Sequence, residues 1–160
     1  MNLAHRYLEK ETFTSYEDFA QNLKIKVPEN FNFAYDIIDE YARLEPERLA
    51  LVWCDDHGEE RFFTFADLKY WSDKTANFLK AKGIKKGDKV MLILRRRYEF
   101  YFFCFALCKI GAVYIPSTNQ LKEKDIVYRN NAAGVKMIVS YNWPEVIDCI
   151  EKSLPDSPTL

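Results

Sequence analysis

The chain has little of what staples, anchors or breaks a fold. Five glycines and six prolines in 160 residues leave no room for a long flexible linker or a low-complexity segment. The four cysteines, Cys54, Cys104, Cys108 and Cys149, are too few and too scattered for the disulfide framework of a small secreted domain. They read as reduced thiols of the core. Cys104 and Cys108 stand four apart, a spacing that a metal accepts, but His5 and His57 lie far from them in sequence. A structural zinc takes four nitrogen or sulfur ligands, so no metal is expected. The longest apolar run, residues 100–108, is far below the ~20 residues that cross a bilayer. The first ten residues are charged and lack an apolar centre, so no secretory signal is expected there. Net charge is −1, and no global field draws the chain to nucleic acid or to an anionic membrane. These absences lead to the expectation of a cytosolic protein.

What is present is enough apolar and aromatic mass for one core: 48% hydrophobic residues, a third of them aromatic at 16% of the chain. Ser15 has capping-box spacing to Asp18, with Tyr16, Phe19 and Leu23 on one face of the helix it opens. Asn32 is placed to cap a second helix carrying Ala34, Ile37, Ile38, Tyr41 and Ala42 at helical spacing. Residues 49–54 and 61–64 read as a hairpin around the turn Asp55-Asp-His-Gly58. Thr64 and Asp67 form another capping box. The helix that follows has Leu68, Ser72, Thr75, Ala76 and Leu79 on one stripe, small enough to lie close to a sheet, and Gly83 at its end.

From there strands and helices alternate. Residues 89–94 form a mostly apolar run, as a strand covered on both faces does. Residues 98–110 are apolar nearly all round, the mark of a helix buried on several sides. Residues 112–115 and 135–139 read as further strands and residues 123–133 as a helix between them. Pro144 opens a last helix. Such alternation predicts βαβ units. The fold class expected is α/β, a partial, doubly wound, mostly parallel sheet with flanking helices. Residues 1–30 form an N-terminal helical extension and residues 31–160 the α/β subdomain. Pro155-Asp-Ser-Pro158 and the two residues after it read as a turn and the start of another strand, so a truncated chain is expected.

Two stretches carry a family resemblance. Phe63-Thr-Phe-Ala-Asp-Leu68 is similar to the first core motif of the adenylate-forming enzymes, and Lys109-Ile-Gly-Ala-Val-Tyr-Ile-Pro116 resembles their second. In the second, Gly111 permits a sharp helix-to-strand turn and Pro116 stops strand pairing. Gly83-Ile-Lys-Lys-Gly-Asp-Lys-Val90 also matches what that family shows before its central strand. Asn32-Phe-Ala-Tyr-Asp36, Asp125-Ile-Val-Tyr-Arg129 and Asn131-Ala-Ala-Gly134 look like its medium-chain acyl-CoA synthetase branch. The resemblance implies a parent enzyme that uses ATP and Mg²⁺ to convert a fatty, medium-chain or branched carboxylic acid into an acyl-adenylate. The acyl group then passes to CoA. It also implies that the rest of the parent protein is this chain's partner.

The family's Gly/Ser/Thr-rich phosphate loop, adenine-contacting motifs and C-terminal catalytic lysine have no counterpart here, so the chain alone is expected to be inactive and no catalytic residue is assigned. By resemblance Gln120 contacts CoA, its amide offering one acceptor and two donors; read from its own surroundings it is equally a solvated loop residue. Arg95, Arg96 and Arg97 follow a strand, in a stretch (residues 85–109) with seven basic and two acidic residues. They suit a phosphate, although a solvated turn is the simpler reading. Asp55, Asp56, Glu59 and Glu60 flank the hairpin turn and read as solvating charges. Two other functions stay open: a non-catalytic α/β binding module, and an adenylation domain that serves a carrier protein. The apolar helix over residues 98–110 leads to the expectation of self-association.

Overall fold

The computed structural model describes residues 3–160. Its centre is a three-stranded parallel sheet in the order β4-β3-β5, with β3 spanning Lys89–Ile93, β4 Val113–Pro116 and β5 Val135–Ser140. Helices α4 (Glu99–Ile110), α5 (Glu123–Ala133) and α6 (Pro144–Ser153) connect and flank the strands. The first crossover leads from β3 to β4, and the second runs back past β3 to β5. Crossovers of one hand that travel in opposite directions lie on opposite faces. Accordingly α4 covers one face of the sheet, and α5 and α6 cover the other.

The alternation of β3 decides how the core divides. Val90, Leu92 and Leu94 point into the cluster with Cys104, Ala106 and Leu107 of α4. Met91 and Ile93 point into the cluster with Ile126 of α5 and Val146 of α6. All five are buried, which is why the strand reads as a continuous apolar run rather than an alternating one. Gly111 ends α4 in the left-handed region at φ 69°, and a Cβ there would lie 3.0 Å from Lys86 Cγ. Only glycine takes this turn without both strain and crowding. Pro116 remains in register opposite Leu92, so the strand includes the residue expected to stop it.

A smaller layer precedes the sheet. Strands β1 (Leu49–Cys54) and β2 (Glu60–Thr64) form the expected antiparallel hairpin. The Asp55 carboxylate accepts N–H donors from His57 and Glu59 across its turn. Thr64 and Asp67 make the reciprocal capping box that opens α3 (Phe65–Ala81). The buried stripe of α3, Leu68, Ser72, Ala76 and Leu79, meets α4 more extensively than any strand. The expected helix-on-sheet contact is therefore mainly helix on helix, because α4 already occupies that face of the sheet. Asn32 does cap the second helix, its Oδ1 accepting N–H from Ala34 at 3.1 Å. The first turns are wide, a π-helix over Ala34–Asp39 that continues as α2 (Glu40–Leu44). Ser15 accepts the Asp18 N–H and opens α1 (Tyr16–Asn22), which buries none of its residues.

Two expectations about single side chains are corrected. Cys54 is exposed rather than part of the core, because the last residue of β1 lies beyond the layer that covers the hairpin. Helix α4 is not buried all round: Tyr101 is exposed, while Lys109, the residue next to its end, is buried.

Candidate functional site

Three parallel strands that point the same way leave their carboxyl ends along one edge, where open α/β sheets place ligands. Here that edge consists of residues 94–97 after β3, 117–120 after β4 and 141–143 after β5. The sequence-read candidates Arg95 and Gln120 both fall on it, on the loops of neighbouring strands.

Between the ends of β3 and β4 is a cleft of about 320 Å³ lined by Leu92, Leu94, Arg95, Phe100, Pro116, Ser117 and Thr118. The Ser117 N–H donates to the Leu92 carbonyl at 2.9 Å and fixes the start of the loop. Its hydroxyl is buried with no hydrogen-bond partner among the described residues. Gln120 is exposed, and its backbone N–H donates to Thr118 Oγ1 at 3.3 Å. The side-chain amide thus points to no fixed internal role.

On the other side of Arg95 is a cavity of about 220 Å³. Its walls are residues 53–56 of the hairpin, Arg95 to Arg97, and Tyr141 beyond β5. The Trp53 indole N–H donates to the Arg96 carbonyl at 2.6 Å and ties the hairpin to the arginine turn. Arg97 is held by a bidentate pair to Glu99, at 2.7 and 3.1 Å. Arg95 adopts φ 52°, the one non-glycine residue with positive φ among those described. Its guanidinium lies over the Trp143 ring, 5.6 Å from the centroid. The Tyr141 hydroxyl is buried and, like that of Ser117, unpartnered.

The glycines Gly83 and Gly87 do not form a phosphate cradle. The Gly83 N–H donates to the Lys80 carbonyl and the Gly87 N–H to the Gly111 carbonyl, each at 2.9 Å. With both donors used internally, they do not fit the backbone grip that ATP phosphates require. Among the described residues no group of three His, Cys, Asp or Glu is placed to hold a metal ion. No described helix is long and apolar enough to cross a membrane.

Away from this edge is a buried charge cluster that the sequence reading missed. Lys109 Nζ donates to Asp39 Oδ1 at 2.7 Å and to Asp73 Oδ1 at 2.6 Å, and the Tyr35 ring lies 5.6 Å away. Lys69 joins it at 2.6 Å from Asp73. The available signal was Lys109 itself, a lone cation beside Cys108 and Ile110 in an otherwise apolar helix.

Comparison with known proteins places this geometry. Residues 38–159 match the family model described as AMP-binding enzyme. The chain is 38% identical over 142 residues to the mitochondrial acyl-coenzyme A synthetase ACSM3 of Mus musculus, covering 85% of this chain and 24% of that protein. It is 42% identical over 123 residues to mitochondrial ACSM5 of Rattus norvegicus, covering 73% of this chain and 21% of the relative. Among solved structures, the inhibitor-bound N-terminal domain of FACL13 from Mycobacterium tuberculosis superposes with a TM-score of 0.71 at 25% identity, over 81% of this chain and 32% of that one. The anthranilate CoA ligase AuaEII shares the fold, with a TM-score of 0.73 at 23% identity over 84% of this chain and 24% of that one. The chain thus spans about a quarter of the length of the curated relatives it matches. Their names also overturn the expected cytosolic placement, since both are mitochondrial proteins. An ordinary composition, with no described helix long and apolar enough to cross a membrane, does not distinguish one compartment from another. The motif over Lys109 to Pro116, the left-handed turn at Gly111, the parallel sheet and the match over residues 38–159 have a common meaning: the chain belongs to the AMP-binding enzyme family.

Proposed function

We propose that the chain is the N-terminal α/β part of an acyl-CoA synthetase, an acid–thiol ligase. The whole enzyme activates a fatty, medium-chain or branched carboxylic acid with ATP and Mg²⁺, releasing pyrophosphate, and passes the acyl group to CoA. The observation that carries this reading is the 38% identity, across 85% of the chain, to a protein named as an acyl-CoA synthetase. Residues 1–30 serve as a helical extension and residues 31–160 as the subdomain proper. The remainder of the parent is its partner, and mitochondria are its compartment by analogy with the named relatives.

Gln120 is proposed to meet CoA. It follows β4 on the carboxyl edge of the sheet, and its exposed side chain leaves the amide free for a pantetheine arm. The parent's other chemical groups, including those that shield the negative charge of ATP and the acid, lie in parts of the family fold for which this chain has no motif. Self-association of the isolated chain is proposed on its exposed apolar residues, among them Phe33, Phe62 and Tyr101.

The test is acid-dependent exchange of pyrophosphate into ATP, followed by acyl-CoA formation, with a series of aliphatic acids. The whole enzyme is expected to perform both steps, and the 160-residue chain neither. A whole enzyme that binds but never adenylates an acid would favour a non-catalytic module. Acyl transfer to a carrier protein and not to CoA would identify a carrier-serving adenylation domain.

A further inference from the structure

Two residues of the turn after β3, Arg95 and Arg96, differ from most other arginines among the described residues. Arg6 and Arg43 pair with Glu40, Arg48 with Glu45, Arg61 with Glu59 and Arg97 with Glu99. Among the described residues, no carboxylate lies within 4.0 Å of the Arg95 or Arg96 guanidinium; out on α5, Arg129 is similarly unpaired. For these two residues the solvated turn, the simpler reading of the sequence, has no carboxylate partner nearby among the described residues.

Three further observations converge on the same place. Arg95 holds φ 52°, a conformation that disfavours any residue with a Cβ and that glycine would adopt freely. The turn carries this strain together with the side chain. The Trp53 indole fixes the Arg96 backbone and the Arg95 guanidinium rests over Trp143, so the turn is held in place and one of its two exposed cations is seated against a ring. The cavity they border measures about 220 Å³, below the ~300–1,000 Å³ that takes in a whole drug-sized ligand. It is large enough for one charged group. The negative residues of the wall are Asp55 and Asp56. The Asp55 carboxylate is engaged by the His57 and Glu59 N–H groups of its own turn. Asp56 is left as a like charge on the rim.

We propose that the cavity between the Arg95–Arg96 turn and the β1–β2 hairpin is an anion subsite that takes a phosphate or diphosphate group. The group sits against the two unpaired guanidinia, whose planar forks of N–H donors suit phosphate oxygens. The strain at Arg95 is the cost of placing one of them there. The inference does not depend on the reaction proposed above, because it is read with anions alone.

The test is titration of the ¹⁵N-labelled 160-residue chain with inorganic phosphate, pyrophosphate, ATP and CoA in turn, without Mg²⁺, at ionic strength held constant with chloride. A saturable shift of the Trp53 indole N–H is expected. Tightest binding of ATP identifies a nucleoside polyphosphate as the source, tightest binding of CoA a phosphorylated thiol carrier, and equal binding by pyrophosphate a bare diphosphate. Arg95→Gly should weaken binding about tenfold, as loss of a charge-assisted hydrogen bond does, while its thermal midpoint stays level or rises. A merely structural Arg95 would show the opposite pair of effects. Arg96→Gln should weaken binding without touching the strained position, which keeps the proposal testable if Arg95→Gly fails to fold. Asp56→Asn, which removes a like charge, should tighten it. Absence of a saturable shift, the same shift with chloride alone, or wild-type affinity in Arg95→Gly or Arg96→Gln overturns the proposal.

Discussion

Lys109 near the end of α4 and Asp39 at the end of the π-helical segment, 70 residues apart in sequence, meet at 2.7 Å. The lysine side chain is only 2% exposed and that of Asp39 14%, whereas Asp73, the second partner of Lys109, retains 41%. One cation thus joins the N-terminal helical layer, α3 and α4. An ion taken out of water needs all its hydrogen bonds to offset desolvation, and Lys109 has two carboxylates at bonding distance.

Lys109→Met should therefore destabilise the chain strongly. Removing one partner of a buried pair costs ~3–5 kcal/mol; Asp73 can rehydrate, so about 2–3 kcal/mol is expected here. Urea unfolding measures it. Adding Asp39→Asn to Lys109→Met should recover part of the loss, because the stranded charge is then gone. No recovery would mean that the lysine acts through packing of its stem alone.

Stability should fall on the acid side. Burial pushes the Asp73 carboxyl up, but its bonds and charge interactions with Lys109 and Lys69 outweigh burial and hold it below the usual carboxylate value. Glu40 is held at about 2, first by the hydrogen bond from Arg43 and then by that from Arg6. A depressed carboxyl contributes stability that is complete above its unfolded value and is lost as pH falls through its folded one. The unfolding free energy should thus be flat between about pH 5 and 7 and decline below about pH 4. The decline should be shallower in Lys109→Met, where Asp73 loses one of its two cations.

The cysteines should react in order of exposure. Burial, with a smaller contribution from Cys108, pushes the Cys104 thiol up to about 12, so almost none is thiolate at neutral pH. Cys54 is exposed. Mass spectrometry after timed iodoacetamide treatment should find Cys54 modified first and Cys104 only when the chain unfolds. Early labelling of Cys104 would mean that α4 separates from the sheet in the native state.

Gln120→Ala, made in the whole enzyme, should raise the apparent KM for CoA by roughly two- to tenfold, as expected for one neutral hydrogen bond of ~0.5–1.5 kcal/mol. Formation of the adenylate from acid and ATP should scarcely change. Equal losses in both half-reactions would make Gln120 a structural loop residue.

Local signals determined much of this protein. The N-cap at Ser15, the capping box at Thr64, the turn at Asp55, the glycine stops at Gly83 and Gly111, and the apolar run of β3 were legible because each depends on neighbours within about five residues. The motif around Gly111 likewise carried the family. What only the tertiary structure decided was everything set by residues distant in sequence. Strand order 4-3-5 followed from where the crossovers packed. The burial of Lys109 required Asp39 and Asp73 from two other elements. Cys54 lay outside the core because, among the described residues, no apolar element packs over the end of β1. The arginine turn became a candidate site only when Trp53 and Tyr141, 43 residues before Arg96 and 45 after it, closed a cavity beside it. Periodicity reports which face of an element is apolar; it holds no record of which other element brings a charge, a ring or a gap to that face.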